Sequence, residues 1–368
     1  MLIIILLLSL FISAIVVLYF LPKIMLLSLK NRILDRIDNR KIHSTAACRL
    51  GGASFFPAII ISTILTSVVF DLLQVGGVSA QFTANSQLII CSTMILYFVG
   101  IYDDIVGMRY KEKFIFQFIT AVFVVCSGTY ISDFNGLFGM GEVSKFIGIP
   151  FSIVLIVFIT NAVNLIDGID GLASMLSIMA FTMYSMMFYL NSNYTDCIFC
   201  LASLGALSPF FHHNVFGVRK GIASKIFMGD GGALVIGFIL SVMAIKLWNS
   251  SSLIGEKCDY ISDYSWVVAF TMLIIPCFDV VRVVLHRAKA RKPLFLPDKC
   301  HFHHKLIALG LTPRKSLIVL LITNLIFLTI NCVLATQHVT VTLIILFDTA
   351  LWLAIHIILT HKISKKQK

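Results

Sequence analysis

Long apolar runs separated by short polar segments dominate this sequence. Eleven runs approach the ~20 residues that cross a ~30 Å hydrocarbon core. They are Leu2 to Leu21, Ala53 to Phe70, Leu88 to Ile101, Phe114 to Ile131, Phe146 to Thr160, Leu172 to Leu190, Cys197 to Phe211, Ala233 to Leu247, Tyr264 to Phe278, Leu317 to Leu334 and Val339 to Leu359. The pattern predicts an all-α polytopic membrane protein with about eleven transmembrane helices. The third, fifth, seventh and eighth runs are short, which implies extension by the mixed residues beside them, or neighbouring broken helices. Composition agrees: the 368 residues are 58% hydrophobic and 13% charged, against about 25% charged in soluble domains. Lipid is the expected solvent.

Charge then orients the spans, because cytoplasmic loops accumulate Lys and Arg. With the N-terminus outside and the spans alternating, the inner segments hold 26 of the 29 basic residues, leaving Lys145, Lys246 and Lys257. The C-terminus is then cytoplasmic, with a basic tail over 361–368. The net charge of +11 is thus explained by topology. Its scatter over five loops argues against nucleic-acid binding. The first run lacks a basic leader and a small-residue cleavage site, so it reads as a retained helix. Cysteines lie mostly inside apolar runs, where they behave as small hydrophobes. The Cys197 and Cys200 pair fits packing, and no disulfide framework is expected. With no repeat visible, residues 1–368 read as a single membrane domain.

Carboxylates beside a bilayer are costly unless paired, solvated or metal-bound, so the few present carry information. Asp103 and Asp104 end the third run; they suit a cation or a shared proton, or simply a solvated loop start. In Asn161-Ala162-Val163-Asn164-Leu165-Ile166-Asp167-Gly168-Ile169-Asp170-Gly171 an oxygen-bearing side chain recurs every third residue. That spacing makes neighbours on a helix, and the glycines permit turns and close approach of a ligand. A bare polar turn needs no two Asn and two Asp. Phe227-Met228-Gly229-Asp230-Gly231-Gly232 opens the eighth run; its glycines and helix N-terminus suit a phosphate, and Asp230 suits Mg²⁺ or an N-cap. Finally, His301, His303 and His304 stand in a loop with Arg282, Arg287, Arg291, Lys292, Lys299 and Lys305. Such closely spaced residues chelate zinc poorly, so phosphate binding fits better than zinc. The topology puts all four clusters on the cytoplasmic face. Carboxylates for a divalent cation, glycine turns for phosphates and further basic groups together describe phosphoryl transfer from a nucleotide-like donor.

These residues resemble the polyprenyl-phosphate N-acetylhexosamine-1-phosphate transferases. That family includes the enzymes initiating O-antigen and enterobacterial common-antigen lipids, and the phospho-MurNAc-pentapeptide translocase. The resemblance runs from Asp35, Asn39-Arg40-Lys41-Ile42-His43 and Arg49-Leu50-Gly51-Gly52, through Asp103-Asp104, Asn161 to Leu172 and Phe227 to Asp230, to the His301 to His304 loop. It implies Mg²⁺-dependent transfer of a sugar 1-phosphate from a UDP-sugar to undecaprenyl phosphate, with Mn²⁺ as a substitute metal. The location implied is a bacterial inner membrane, and a homodimer is compatible with it. Asn164 and Asp230 match metal ligands; Asp103, Asp104 and Asp167 match catalytic carboxylates. Phe227 and Asp170 resemble the uracil-binding pair. Asn161, Lys113, His301, His303 and His304 resemble substrate-binding positions. Ile37 or Asp38 stands where many members have Pro, and Ala233 where many have Ser. The His-x-His-His pattern is similar to the GlcNAc-1-phosphate branch rather than the peptidoglycan branch.

Two other readings compete. A transporter would place its site near the midplane between repeats, whereas these carboxylates sit at span ends. A non-catalytic scaffold would not need the Asn161 to Leu172 segment. Asp348, inside the last run, is expected to be paired or to face a lumen.

Overall fold

A computed structural model describes residues 1–31, 33, 48–73, 84–219, 222–223, 225–250, 264–291 and 301–367. Asp35, Ile37, Asp38, the 39–43 motif, Lys257, Lys292 and Lys299 lie outside these. Thirteen α-helices are described: α1 (Leu2–Lys30), α2 (Phe55–Leu72), α3 (Ala84–Ile105), α4 (Tyr110–Cys126), α5 (Lys145–Ile166), α6 (Leu172–Leu190), α7 (Tyr194–Phe216), α8 (Gly229–Ser250), α9 (Ser265–Thr271), α10 (Ile274–Lys289), α11 (Phe302–Ala308), α12 (Pro313–Thr336) and α13 (Val341–Gln367). A small antiparallel ribbon, β1 (Val218–Arg219) with β2 (Ile222–Ala223), follows α7.

Nine of these helices are long and apolar enough to cross a membrane. The chain is a polytopic, essentially all-helical membrane protein. Each expected run overlaps one helix, except that Tyr264 to Phe278 divides between α9 and α10, which bend by 48°. Pro276 accounts for the break. It has no N–H for the carbonyl of Met272, and its ring crowds that carbonyl. The short runs lengthen as expected: α3 continues through Asp103 and Asp104, α5 through Asn161 and Asn164, and α8 starts at Gly229. Polar site residues therefore ride on helix ends. The three-residue spacing holds only in part, because α5 stops at Ile166 and leaves Asp167 and Asp170 in a turn. That turn closes at Gly171, with φ +80°.

Helix α8 is apolar around its whole circumference, and such a helix must be surrounded by others. It is buried almost throughout and packs against α3 and α5. Small residues allow the closest approaches: a Cβ on Gly52 would strike the Gly232 backbone, one on Gly100 the Gly231 backbone, and one on Gly237 the Thr160 carbonyl. In lipid, where apolar surface gains little by leaving the solvent, such backbone contact is a main source of helix association. Asp348 is fully buried and accepts a hydrogen bond from Asn331 Nδ2 at 2.8 Å; that amide also donates to Thr271 Oγ1 at 3.0 Å. This polar cluster ties α9, α12 and α13 together. Cys197 and Cys200 are buried and unbridged on α7.

Because the Gly52 and Gly232 backbones touch, Gly232→Val should lower stability by roughly 1–3 kcal/mol. Thermal unfolding in detergent measures this, with an exposed Val281→Ala as the tolerated control.

Candidate active site

The site grows from the start of α8. A helix N-terminus leaves amide donors without intrahelical partners. Here the N–H groups of Asp230 and Gly231 donate to Asp104 Oδ1 and Oδ2 at 2.8 and 2.9 Å. Asp104 belongs to α3, so the cap is supplied by another helix. The segment leading into α8 is laced to residues 48–52: Phe227 N donates to Cys48 O at 2.7 Å, Gly51 N to Phe227 O at 3.0 Å and Gly52 N to Met228 O at 2.9 Å. Gly229 (φ +69°) must be glycine twice over. Its backbone is left-handed, and a Cβ would meet Arg49 O and the Asp104 carboxylate. The Arg49 to Gly52 motif thus acts as a backing strip for Phe227 to Asp230.

Asp103 turns the other way. Its Oδ1 accepts from Met108 N at 2.6 Å, and its Oδ2 lies 2.5 Å from Lys113 Nζ, on α4. The same ammonium lies 3.4 Å from Asp230 Oδ2, while Asn164 Nδ2 donates to Asp230 Oδ1 at 2.7 Å. The Asp103 and Asp230 carboxyls are themselves within hydrogen-bonding reach. Four helices, α3, α4, α5 and α8, therefore converge on one point. Two facing carboxylates with one ammonium between them form an acid-rich centre that favours a further cation. Turning over the Asn164 amide would present its oxygen beside Asp230. Hard oxygen donors with room for substrate phosphates suit Mg²⁺, so the residues present fit that ion. Among the described residues no cage of three His, Cys, Asp or Glu side chains forms without a substrate.

Asp167, in the turn after α5, is exposed to solvent on one side and closely surrounded by protein on the others. Desolvation by the surrounding protein, then the charges of Asp170 and Asp230, raise its carboxyl to about 7. Asp170 pairs with Lys225 Nζ at 2.5 Å, and that ammonium sits 5.4 Å from the Phe227 ring centroid. Acid, base and ring thus form one small platform. Asn214, buried on α7, holds its two halves: its Oδ1 accepts from Gly171 N at 2.6 Å and its Nδ2 donates to Ile226 O at 2.7 Å. Asn161 is turned from this centre toward α4, where it exchanges hydrogen bonds with the Gln117 amide at 2.5 and 3.3 Å.

The histidine loop is anchored by Asp279, a fully buried carboxylate on α10. Its Oδ2 lies 2.8 Å from His301 Nδ1, and its Oδ1 accepts from Phe302 N at 3.0 Å and Arg282 at 3.1 Å. His303 is buried against Gly168, where a Cβ would strike the imidazole. Burial, then the adjacent His304, lower its pKa to about 3, so the ring is neutral at physiological pH. His304 packs on His303 with centroids 4.2 Å apart. Asp279, Asn214 and Lys225 escape sequence reasoning as site residues. The available signal for Asp279 was a carboxylate one residue past an apolar run.

An apolar cavity of about 860 Å³ opens beside this centre between α4, α5 and α10. Phe118, Val154 and Val284 line its length, while Lys113, Asn164, Arg287 and His301 stand at its polar end. It joins a hydrocarbon-like trough to the charged centre.

Two outcomes follow. Asp104→Asn can accept only one of the two α8 amides, and should cost ~1–3 kcal/mol through the unpaired donor; Asp103→Asn, which faces Lys113, should cost less in the same unfolding assay. Asp167 binds its proton more tightly folded than unfolded, so between about 4 and 7 stability falls as pH rises and is level above 7. In EDTA, Asp167→Asn should therefore unfold at a higher temperature than wild type at pH 8, with a smaller difference at pH 5.

Residues 86–248, from α3 through α8, match the model of glycosyl transferase family 4. Similar proteins extend the likeness over most of the chain. A probable undecaprenyl-phosphate N-acetylglucosaminyl 1-phosphate transferase of Bacillus subtilis (strain 168) is 27% identical over 359 residues, covering 97% of this chain and 92% of that protein. The undecaprenyl-phosphate alpha-N-acetylglucosaminyl 1-phosphate transferase of Escherichia coli (strain K12) is 26% identical over 337 residues, 90% of this chain and 84% of its own length. The Yersinia pestis protein of the same name is 24% identical over 298 residues, 80% of this chain and 74% of its own. The helices that build the polar centre are those matched by the glycosyl transferase family 4 model, and the chain is similar to these transferases over most of its length.

Proposed function

We propose that this enzyme transfers a sugar 1-phosphate, GlcNAc 1-phosphate first among candidates, from a UDP-sugar to undecaprenyl phosphate, yielding a polyprenyl-diphosphate sugar and UMP. One observation carries the reading: the acid-rich centre of Asp103, Lys113, Asn164 and Asp230 stands at the mouth of a long apolar cavity. A soluble phosphate donor and a lipid phosphate acceptor would meet there. The multi-pass chain would work in a bacterial inner membrane with this end cytoplasmic, as the basic loops indicate. The product would start a lipid-linked cell-surface glycan.

Asp230 and Asn164 would hold Mg²⁺, which would supply positive charge to the donor's diphosphate. The Phe227 ring offers a stacking face for uracil, and Asp170 a carboxylate for its imide N–H. Lys225 is released from Asp170 as the base enters and remains near the diphosphate. Arg287 and His301, at the polar end of the cavity, would receive the acceptor phosphate. An oxygen of that phosphate attacks the donor's β-phosphorus while the bond to the bridging oxygen breaks, so UMP departs with the electron pair. The nucleophile is already anionic, and positioning matters more than activation. Lys113 binds both Asp103 and Asp230, and so keeps their charge from repelling the incoming phosphates. His303, neutral and buried, orients the Gly168 turn rather than binding anions.

Purified protein with Mg²⁺, undecaprenyl phosphate and a panel of UDP-sugars should release UMP, with UDP-GlcNAc the preferred donor. Asp230→Ala and Asn164→Ala should abolish release. Phe227→Ala should raise the KM for the UDP-sugar much more than that for the lipid. Full activity in either metal-ligand variant would refute the metal assignment, and an unchanged nucleotide KM would refute stacking.

A further inference from the structure

Among the described residues, the last span, α13, contributes nothing to the wall of the 860 Å³ cavity, yet it packs against α11, the helix of the histidine loop. Helix α11 has only seven residues, too few to hold its own position. Its place is set by what it leans on. Lys305 Nζ donates to Thr360 Oγ1 at 2.8 Å, and Lys366 Nζ donates to Leu309 O at 3.0 Å. The Phe302 ring lies 4.8 Å from the His356 ring.

Trp352, buried one turn before His356, is the hub of this contact. Its ring meets Phe302 edge-on at 5.1 Å and Phe278 edge-on at 6.1 Å. Phe278 directly precedes Asp279, and Phe302 directly follows His301. One indole therefore braces both sides of the Asp279–His301 pair, through the ring next to the carboxylate and the ring next to the imidazole. Phe302 closes the circuit with its own N–H, which donates to Asp279 Oδ1. With Nδ1 held by Asp279, Nε2 is the His301 nitrogen left for a ligand at the polar end of the cavity. The indole N–H has no hydrogen-bond partner among the described residues, so Trp352 acts through the faces and edge of its ring system.

We propose that Trp352 is a positioning residue for His301, so that the last span fixes how the imidazole meets the acceptor phosphate. The inference rests on His301 receiving that phosphate, as proposed above. Displacing a substrate-binding group by about 1 Å can cost ~100-fold in rate; losing one brace among several shifts it less.

Trp352→Ala should lower kcat/KM for undecaprenyl phosphate about tenfold, while the KM for the UDP-sugar stays within about twofold. Trp352→Phe keeps a ring and should recover to within about threefold of wild type. Phe70→Ala removes an equally buried ring from α2; it should lower Tm and leave both constants within about twofold. Because Trp352 acts through His301, Trp352→Ala should cost less than about twofold further in a His301→Ala protein. A full additional loss in that background, a phenylalanine variant no better than alanine, or an equal loss in Phe70→Ala would overturn the proposal. Trp352→Leu, which fills most of the volume without a ring, repeats the test should the alanine variant not fold. Independently of turnover, the His301 nitrogen-15 resonance of histidine-labelled protein, assigned by its absence from His301→Ala, should move in Trp352→Ala or Trp352→Leu and stay in place in Phe70→Ala. An unmoved resonance in the Trp352 variants would count against positioning, whereas failure of wild type to release UMP would sink the reaction and leave this readout standing.

Discussion

The cap that Asp104 places on α8 is the contact on which the site depends. Uncapped, the first amides of a helix at a membrane boundary would lack partners, at a cost of about 1–3 kcal/mol each. Supplying the carboxylate from α3 satisfies two amides and locks α3 to α8. The fit is possible because Gly100 and Gly231 bring the two backbones together, and because Gly229 leaves room for the carboxylate. With Asp104 so committed, its neighbour Asp103 is directed outward to Lys113. Two adjacent, chemically identical side chains thus acquire different tasks through the geometry of a single helix end.

The same economy governs the remainder of the centre. Lys113 lies between Asp103 and Asp230, Lys225 pairs with Asp170, and Asp279 holds His301 and Arg282. Asp103, Asp230, Asp170 and Asp279 each have a cation or a donor within reach, yet the cations are those that incoming phosphates would attract. Binding would therefore exchange internal partners for substrate charges, without exposing a naked carboxylate to the edge of the bilayer. Asn214 and Asn161 hold backbone and helix faces in place around these exchanges.

The break in the α9–α10 span extends this arrangement into the hydrocarbon layer. Pro276 prevents a straight helix, and past the resulting 48° bend α10 forms one wall of the apolar cavity. Beyond it, α10 carries Asp279 to the histidine loop. One backbone irregularity therefore serves the trough and the polar centre together.

The apolar periodicity, the scarcity of charge and the basic loops were sufficient, by themselves, to specify a polytopic helical chain and to single out its four polar clusters, because the cost of burying charge in lipid acts locally on each segment. The helix ends were less legible: Asp167 and Asp170 continue the spacing of Asn161 and Asn164 but leave the helix, since Gly168 and Gly171 favour a turn that packing against His303 and Asn214 fixes. Only the tertiary structure separated Asp103 from Asp104, paired Asn161 with Gln117, and brought in Asp279, Asn214 and Lys225. Those roles depend on which helices touch and how closely. Contact between distant segments is set by small residues and by the bend at Pro276, whose consequences emerge only when all the helices pack at once.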